Sequence, residues 1–239
     1  MSKAGEFVTS IQPQQAGRDP MLDRSSMEFG FRAKRFVEVR RLIETVIAER
    51  GSCSIVDLGG TERYWGIGEE FLDENRSRIA IKLVNLEQEP LTADADGMFS
   101  SVAGDATDPR LLEGESFDLV HSNSVIEHVG TRADMQRYAD NVRRMAPRYY
   151  VQTPNFWFPF EPHFRLPGFQ YLPERIRVAI IRNFSVGFFD KVPDYDEALQ
   201  VIHHHQLVTA REMARFFPDA RIKFEKVGPL NKSIMAIRG

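Results

Sequence analysis

Five short apolar runs along the middle of the chain constrain its fold more than any other feature of the sequence. Several are apolar at almost every position, which is typical of strands buried on both faces of a parallel sheet. Candidate helices at about 62–74 and 132–146 alternate with the runs, and this alternation predicts an α/β fold with a Rossmann-like, doubly wound sheet. The five runs are residues 54–58, 79–86, 98–103, 117–122 and 148–153.

The segments on either side of these runs complete the predicted domain. Residues 26–49 have the apolar periodicity of an amphipathic helix. Near the C-terminus, Thr209 and Glu212 have the spacing of a capping box at the start of another helix. Two final strands joined by a turn are then expected to pair as an antiparallel hairpin: residues 220–227, Gly228-Pro229 and residues 232–239.

The length of 239 residues fits one large domain better than two. Residues 1–25 are polar and lack periodicity, which predicts a flexible arm before a single domain over 26–239, with an insertion at about 154–205. The net charge of −3 comes from mixed acidic and basic residues, so nucleic acid is not an expected partner. Without a membrane-length apolar stretch or a secretory signal, we expect a cytoplasmic protein.

Glycine and polar residues follow the first two strands at their carboxyl ends, the edge where open α/β sheets bind ligands. Gly59 and Gly60 come directly after the first strand, and glycines there let the backbone approach a ligand closely. Asn85 and Glu87 end the second run, where a side chain can hold the hydroxyls of a ribose. The sequence leaves both open as the ribose ligand.

The third and fourth strands bring further polar groups to the same edge. Asp105 follows the third strand, and its carboxylate can accept a hydrogen bond from an exocyclic amine such as that of adenine. The fourth run leads into four polar residues: Ser122, Asn123, Glu127 and His128. Four successive strands therefore point to a nucleotide-like ligand at one edge.

The order of these segments resembles the successive motifs of class I S-adenosylmethionine (SAM)-dependent methyltransferases over roughly residues 50–155. The segments are Asp-Leu-Gly-Gly, Asn-Leu-Glu, Gly-Asp-Ala and Phe-Asp-Leu-Val-x-Ser-Asn-x-Val-Ile-Glu-His. The last one resembles the branch that methylates small molecules, quinones, lipids and sugars. The resemblance implies a seven-stranded sheet whose last strand is antiparallel, and SAM as the cofactor.

The resemblance also implies which residues hold SAM. Its methionine end is expected near Asp57, Gly59 and Gly60, its ribose near Asn85 or Glu87, and its adenine near Asp105 and Ala106. Thr61 stands where the family usually has another glycine, and it narrows the loop. Ser122 and Asn123 complete the expected cofactor site.

Methyl transfer depends mainly on alignment, but a hydroxyl acceptor also needs a base. His128 is the leading candidate, because the pKa of an unperturbed histidine lies near 6.5 and this one follows the fourth strand. Glu127 could orient His128 or act in its place, and His163 is a second candidate base. The alternative is that such a histidine only packs or caps a helix.

The segment after the fifth strand is rich in aromatic residues, with 11 of them in the 40 residues from 156 to 195. We expect these rings to roof an acceptor pocket, with Glu161, His163 and Arg165 bonding its polar groups. A satellite core or a homodimer contact is the alternative. The basic, apolar helix expected over 173–184 fits a lid, a dimer contact or a membrane surface.

Three consecutive histidines, His203, His204 and His205, do not predict a metal site. Consecutive residues of regular structure cannot all face one ion, and no cysteine or carboxylate cluster at ligand spacing accompanies them. No metal is therefore expected.

Other functions remain open on the sequence. A nicotinamide-dependent oxidoreductase of the same fold class is disfavoured because G-x-G-x-x-G is missing and Glu62 would approach a pyrophosphate. A domain that binds SAM or a partner without catalysis is a further alternative. For a methyltransferase, the acceptor hypothesis is a sugar hydroxyl on a glycan or lipid-linked saccharide, and the alternatives are a quinone or phenolic metabolite and a polyketide-type or fatty metabolite.

Overall fold

A computed structural model describes residues 23–88, 90–91 and 97–239 of the chain. The arm predicted at 1–25 lies outside these residues except for its last three, which precede the first helix. The described residues form two compact units. The larger contains Gln206–Gly239 and the described part of Arg18–Phe158, and the smaller is Pro159–His205. The single domain with an insertion at about 154–205 stays a prediction.

A seven-stranded sheet organises the larger unit. Its order is β3-β2-β1-β4-β5-β9-β8, with the first five strands parallel and β9 antiparallel to both β5 and β8. This confirms the doubly wound sheet, the C-terminal hairpin and the antiparallel last strand of the class I methyltransferase fold. In chain order the described strands are β1 Cys53–Leu58, β2 Ile79–Asn85, β3 Phe99–Ala103, β4 Leu119–Asn123, β5 Arg148–Pro154, β6 Phe160–Glu161, β7 Leu166–Pro167, β8 Arg221–Val227 and β9 Leu230–Arg238.

The helices begin and end at residues suited to capping. The Ser26 hydroxyl accepts from the Phe29 amide at the start of α1, and Gly51 ends that helix at φ 83°. The predicted capping box of Thr209 and Glu212 is present at the start of α7. The described α-helices are α1 Met27–Arg50, α2 Glu62–Trp65, α3 Glu69–Glu74, α4 Arg132–Met145, α5 Glu174–Asn183, α6 Tyr195–His203 and α7 Ala210–Phe216.

The prediction of one helix over 62–74 is wrong, because a 3-10 turn at Gly66–Gly68 separates α2 from α3. A Cβ at Gly68 would overlap the Phe36 ring of α1. Close packing of α1 against this turn therefore requires glycine, and glycines weaken a continuous helix. The apolar periodicity alone could not locate that break.

Both faces of the sheet are covered by apolar side chains. On one face, residues of α4 and α7 such as Tyr138 and Phe216 pack with Val56 and Val120 of the strands. A second cluster joins α1, α2 and α3 to the sheet, and it includes Ile43, Trp65, Phe71 and Ile55. Burial on both faces explains why the parallel strands appear in the sequence as continuous apolar runs.

The smaller unit has an apolar core of its own. The short antiparallel pair β6–β7 precedes α5 and α6, and the core includes Phe164, Phe169, Ile181 and Val201. Helix α6 was not expected from the sequence. It begins after Asp194, whose carboxylate accepts from the Glu197 amide. Among the described residues, no helix combines the length and apolar character needed to cross a membrane.

Candidate functional site

The loop that follows β1 depends on glycine at two successive positions. Gly59 has a φ of 74°, its amide donates to the Val84 carbonyl at 2.8 Å, and a Cβ on it would overlap the Val125 side chain. A Cβ on Gly60 would overlap the Asp57 carboxylate. A side chain at either position would collide with its neighbour, so both positions require glycine. The backbone at these two residues is therefore not covered by side chains of the loop.

Asp57 lies inside the protein rather than at the surface of the loop. Its side chain is fully buried, and its carboxylate accepts from the indole Nε1 of Trp65 at 2.8 Å and bonds His121 Nδ1 at 2.7 Å. His121 Nε2 lies 3.2 Å from the Tyr64 hydroxyl. Asp57 is thus placed to fix the loop through a buried network, and its expected place near the methionine end of SAM stays a prediction.

Sequence reasoning missed three residues of this network. His121 belongs to an apolar strand, while Tyr64 and Trp65 follow the glycine loop as apparent core aromatics. Burial raises the pKa of Tyr64 well above its usual range, with Arg35 opposing and Asp57 adding to that effect. The only signal in the sequence was a histidine within a continuous apolar run, and a histidine there needs a buried partner.

Thr61 caps the short helix α2. Its hydroxyl accepts from the Tyr64 amide at 3.3 Å, and its backbone is extended at φ −129°. Glycine at this position would lose that cap, since threonine is a favoured residue at helix N-termini. Threonine at this position therefore has a structural reason.

The two candidate ribose ligands have different surroundings. Asn85, the last residue of β2, donates from its amide to the Gly60 carbonyl at 2.8 Å and so braces the glycine loop. Glu87 lies two residues beyond β2, and its side chain is exposed. Asn85 is thus engaged with the loop, while the Glu87 carboxylate faces solvent.

Asp105 forms a tight turn after β3. One carboxylate oxygen, Oδ1, accepts from the Thr107 amide at 2.7 Å and from the Thr107 hydroxyl at 2.8 Å. The residue is exposed, so the second oxygen can reach a ligand. The neighbouring Ala106 carbonyl accepts from the Asn141 amide at 2.9 Å, which holds the turn against α4.

Two polar side chains at the end of β4 differ in their hydrogen bonding. The buried Ser122 hydroxyl donates to the Leu58 carbonyl at 2.8 Å. Asn123 Oδ1 is buried and has no hydrogen-bond partner among the residues that the structure describes. Ser124, which the sequence analysis passed over, has a φ of 58°, an uncommon conformation for a residue other than glycine and one often found at functional sites.

The Glu-His pair of the last motif lies in a 3-10 turn over Ile126–His128. Glu127 is fully buried, and its Oε2 accepts from the Thr153 hydroxyl at 2.8 Å. The Gln206 amide donates to the Glu127 carbonyl at 2.9 Å. His128 is half-buried, and its amide donates to the Val125 carbonyl. The turn is therefore held firmly at the carboxyl end of the sheet.

His163 lies in the smaller unit and forms a dyad with a buried carboxylate. Its Nδ1 is 2.7 Å from Glu161 Oε1, and Glu161 is only 2% exposed. The other oxygen of Glu161 accepts from the Phe164 amide at 2.6 Å. A carboxylate at Nδ1 fixes the ring with its proton on that nitrogen, so Nε2 becomes the basic nitrogen.

Two of the three consecutive histidines have different hydrogen-bond partners within the smaller unit. His203 Nε2 lies 2.7 Å from Glu174 Oε2, and His205 Nδ1 lies 2.7 Å from the Val201 carbonyl. Burial lowers the pKa of His205 to about 4. Burial also lowers the pKa of His204, and His163 adds to that effect.

The large apolar side chains of the smaller unit fall into two groups, one buried and one exposed. Phe164 and Phe169 pack 4.4 Å apart in its core, as the alternative of a satellite core expected. In the helix predicted over 173–184, now α5, Ile181 is buried. Other large apolar side chains of this unit are exposed: Phe160, Tyr171, Ile176, Phe184, Phe188 and Tyr195.

Comparison with known proteins adds limited information. No family model matches the sequence. A stretch of 58 residues is 36% identical to an uncharacterised protein of Mycobacterium tuberculosis H37Rv, and it covers 24% of this chain and 20% of that protein. The chain therefore matches only a fifth of its curated relative's length.

Solved structures similar to this one include several methyltransferases. An O-methyltransferase family protein from Burkholderia thailandensis matches 92% of this chain and 64% of its own, with 14% identity and a TM-score of 0.45. The N-methyltransferase NodS from Bradyrhizobium japonicum matches 87% of this chain and 95% of its own, with 10% identity and a TM-score of 0.46. The sequence identities and TM-scores are low, so the assignment of the fold rests on the strand order described above.

Proposed function

We propose that this chain is a SAM-dependent methyltransferase that transfers a methyl group to a hydroxyl of a small acceptor. The observation that carries the proposal is the meeting of polar groups at the carboxyl ends of four neighbouring parallel strands. The glycine loop after β1, Asn85 of β2, Asp105 after β3 and Asn123 of β4 all lie at this edge. Open α/β sheets bind their ligands at this position.

The residues present fit the parts of SAM. The glycine loop offers backbone without side chains, the exposed carboxylate of Glu87 suits the ribose hydroxyls, and the second oxygen of Asp105 suits the adenine amine. Asn123 Oδ1, buried and without a partner among the described residues, supplies an acceptor for a further donor of the ligand. Asp57, Gly60, Thr61, Asn85, Ala106 and Ser122 would act by holding this surface in shape.

SAM supplies an activated methyl group on a sulfonium leaving group, and the protein supplies orientation and a base. His128 is the leading candidate base in our proposal, because it lies at the carboxyl end of the sheet with Glu127 before it. His163, whose ring contacts the Glu161 carboxylate, is the second candidate. His128→Gln should then lower kcat by at least about a hundredfold, while SAM binding is retained. His163→Gln is the matched comparison, and the larger loss identifies the base.

For the acceptor, we propose a sugar hydroxyl on a glycan or lipid-linked saccharide. The exposed aromatic side chains of the smaller unit support this choice, because aromatic faces stack on sugar rings. A quinone or phenolic hydroxyl and a polyketide-type metabolite are the alternatives within the same chemistry. Incorporation of labelled methyl groups only into phenols would overturn the sugar assignment.

The decisive test of the proposed function is calorimetric titration with SAM and with S-adenosylhomocysteine (SAH). We expect micromolar binding of both and none of NAD. Asp105→Ala should abolish the binding, while Glu113→Ala, an exposed carboxylate in the same connection between β3 and β4, should leave it unchanged. Silence toward both sulfur ligands would contradict the proposal, and binding without turnover on any acceptor class would favour a non-catalytic SAM-binding domain.

A further inference from the structure

A cluster of charged side chains lies between the start of α1 and the C-terminal hairpin of the larger unit. Arg35 of α1 is only 8% exposed, and its NH1 group donates to both carboxylate oxygens of Glu225 at 3.0 and 2.9 Å. Lys232 of β9 lies 3.5 Å from Glu225 Oε2. The Ser233 hydroxyl donates to the same oxygen at 3.0 Å. One carboxylate is thus shared by two cations.

The surroundings of this cluster partly shield its cationic groups from water. The Nζ of Lys232 lies 3.4 Å from the centre of the Phe31 ring, and its side chain remains 31% exposed. Nε of Arg35 is buried and has no hydrogen-bond partner among the described residues. Burial lowers the pKa of Lys232, Glu225 opposes this, and Arg35 adds to the lowering. A second negative group beside Lys232 would relieve this imbalance.

The cluster lies at the same edge of the sheet as the proposed methyl-transfer site. The Lys232 carbonyl accepts from the Asn155 amide, directly after β5 ends. In the sheet, Asn123 of β4 pairs with Gln152 of β5, and Pro154 of β5 pairs with Ser233 of β9. Lys232 is therefore two strands from the end of β4, on the order of 10 Å along the sheet edge.

We infer that Lys232 and Arg35 form a binding site for an oxyanion of the methyl acceptor, a carboxylate or a phosphate. The assignment of this anion to the methyl acceptor rests on the proposed function. The anion site itself can be tested without turnover. A hydroxyl to be methylated would then lie roughly one sugar ring or one aromatic ring away from the anionic group. The acceptor class narrows to hydroxyl compounds that carry a negative charge, such as glycosyl phosphates or phenolic acids.

The test titrates the protein with inorganic phosphate and with benzoate, followed by NMR chemical shifts. We expect millimolar binding of at least one anion, both without SAH and with saturating SAH. Lys232→Gln should weaken it by about tenfold or more. Lys226→Gln, an exposed lysine of the same hairpin, is the matched control and should bind as the wild type does. Glu225→Gln removes the competing carboxylate and should tighten anion binding.

Other outcomes would overturn the inference. Equal binding by the two lysine variants, or no binding by the wild type, would remove the site. Displacement of the anion by SAH would assign the site to the carboxylate of the cofactor rather than to the acceptor. Failure to bind SAH would defeat the proposed function, while the anion titration would still report on the site.

A second readout uses matched pairs in the acceptor screen: a sugar phosphate with its free sugar, and a phenolic acid with its amide. For an anionic acceptor, Lys232→Gln should raise KM by about tenfold with little change in kcat, because the residue would bind a group remote from the reacting hydroxyl. Equal effects on the charged and neutral members of a pair would contradict the inference.

Discussion

At the scale of single residues, the candidate cofactor site is built around one buried contact. The Asp57 carboxylate fills the space where a side chain on Gly60 would lie, and it is held there by Trp65 and His121. A buried carboxylate without partners is costly, so these two donors make the position of Asp57 possible. The shape of the loop therefore depends on these buried side chains.

This contact predicts the effect of adding one methyl group. Gly60→Ala should push the Asp57 carboxylate away, lower the free energy of unfolding by about 1–3 kcal/mol and weaken SAH binding by at least about tenfold. Urea unfolding and calorimetry measure the two effects. Gly30→Ala is the control, since nothing lies within 4 Å of a Cβ at that position of α1. It should stabilise the protein by roughly 0.5–1 kcal/mol and leave binding unchanged. Wild-type behaviour of Gly60→Ala would show that the loop does not need this contact.

At the scale of elements, tertiary contacts decide where helices break and begin. The turn at Gly66–Gly68 exists because α1 packs directly on it, and the start of α6 depends on the Asp194 cap. The last turn of α6 and the residues after it carry the three histidines. His203 Nε2 lies near the Glu174 carboxylate and His205 Nδ1 near the Val201 carbonyl, so these two rings have different partners.

The burial of His205 predicts how the stability of the protein changes with pH. Its pKa is about 4 in the fold and near 6.5 in an unfolded chain, so the unfolded state binds more protons between these values. Stability should therefore fall as the pH drops from 7 toward 4, by on the order of 1–3 kcal/mol from this group. Facing groups modify the effect: His163 and His204 lower the pKa further, and Glu161 raises it.

Urea unfolding at pH 7 and at pH 5 checks this expectation. In His205→Gln, the loss of stability between the two values should be clearly smaller than in the wild type. The exposed His203 offers the control, and His203→Gln should keep the wild-type loss. An unchanged pH dependence in His205→Gln would show that another group is responsible.

At the scale of the whole molecule, the order of the sheet brings distant segments of the chain to one edge. β1 lies between β2 and β4, so the loop after Leu58 is flanked by Asn85 on one side and Asn123 on the other. Parallel pairing makes this possible, because every one of these strands ends at the same side.

Hydrogen exchange with and without SAH tests this arrangement. We expect SAH to protect backbone amides in four peptides, near residues 58–65, 83–88, 103–108 and 121–128, while the β8–β9 hairpin changes little. NAD at the same concentration is the control and should protect none of them. Protection restricted to one of the four peptides, or spread evenly over the chain, would contradict a shared site at the sheet edge.

The sequence by itself determined the sheet and the positions of most of the polar groups at its carboxyl edge. Continuous apolar runs mark strands covered on both faces, and the residues after them fall at the carboxyl edge in any parallel sheet. The antiparallel hairpin around Gly228 and the capping box of Thr209 were also predictable, because both depend on local hydrogen bonds.

Only the tertiary structure decided which of these groups face inward. Asp57 and Glu87 are both acids near strand ends, yet one is buried against His121 and Trp65 and the other is exposed. The pairing of Glu225 with Arg35 joins residues 190 positions apart, which no local pattern encodes. Contacts of this kind depend on how whole elements pack, so they emerge only when the chain has folded.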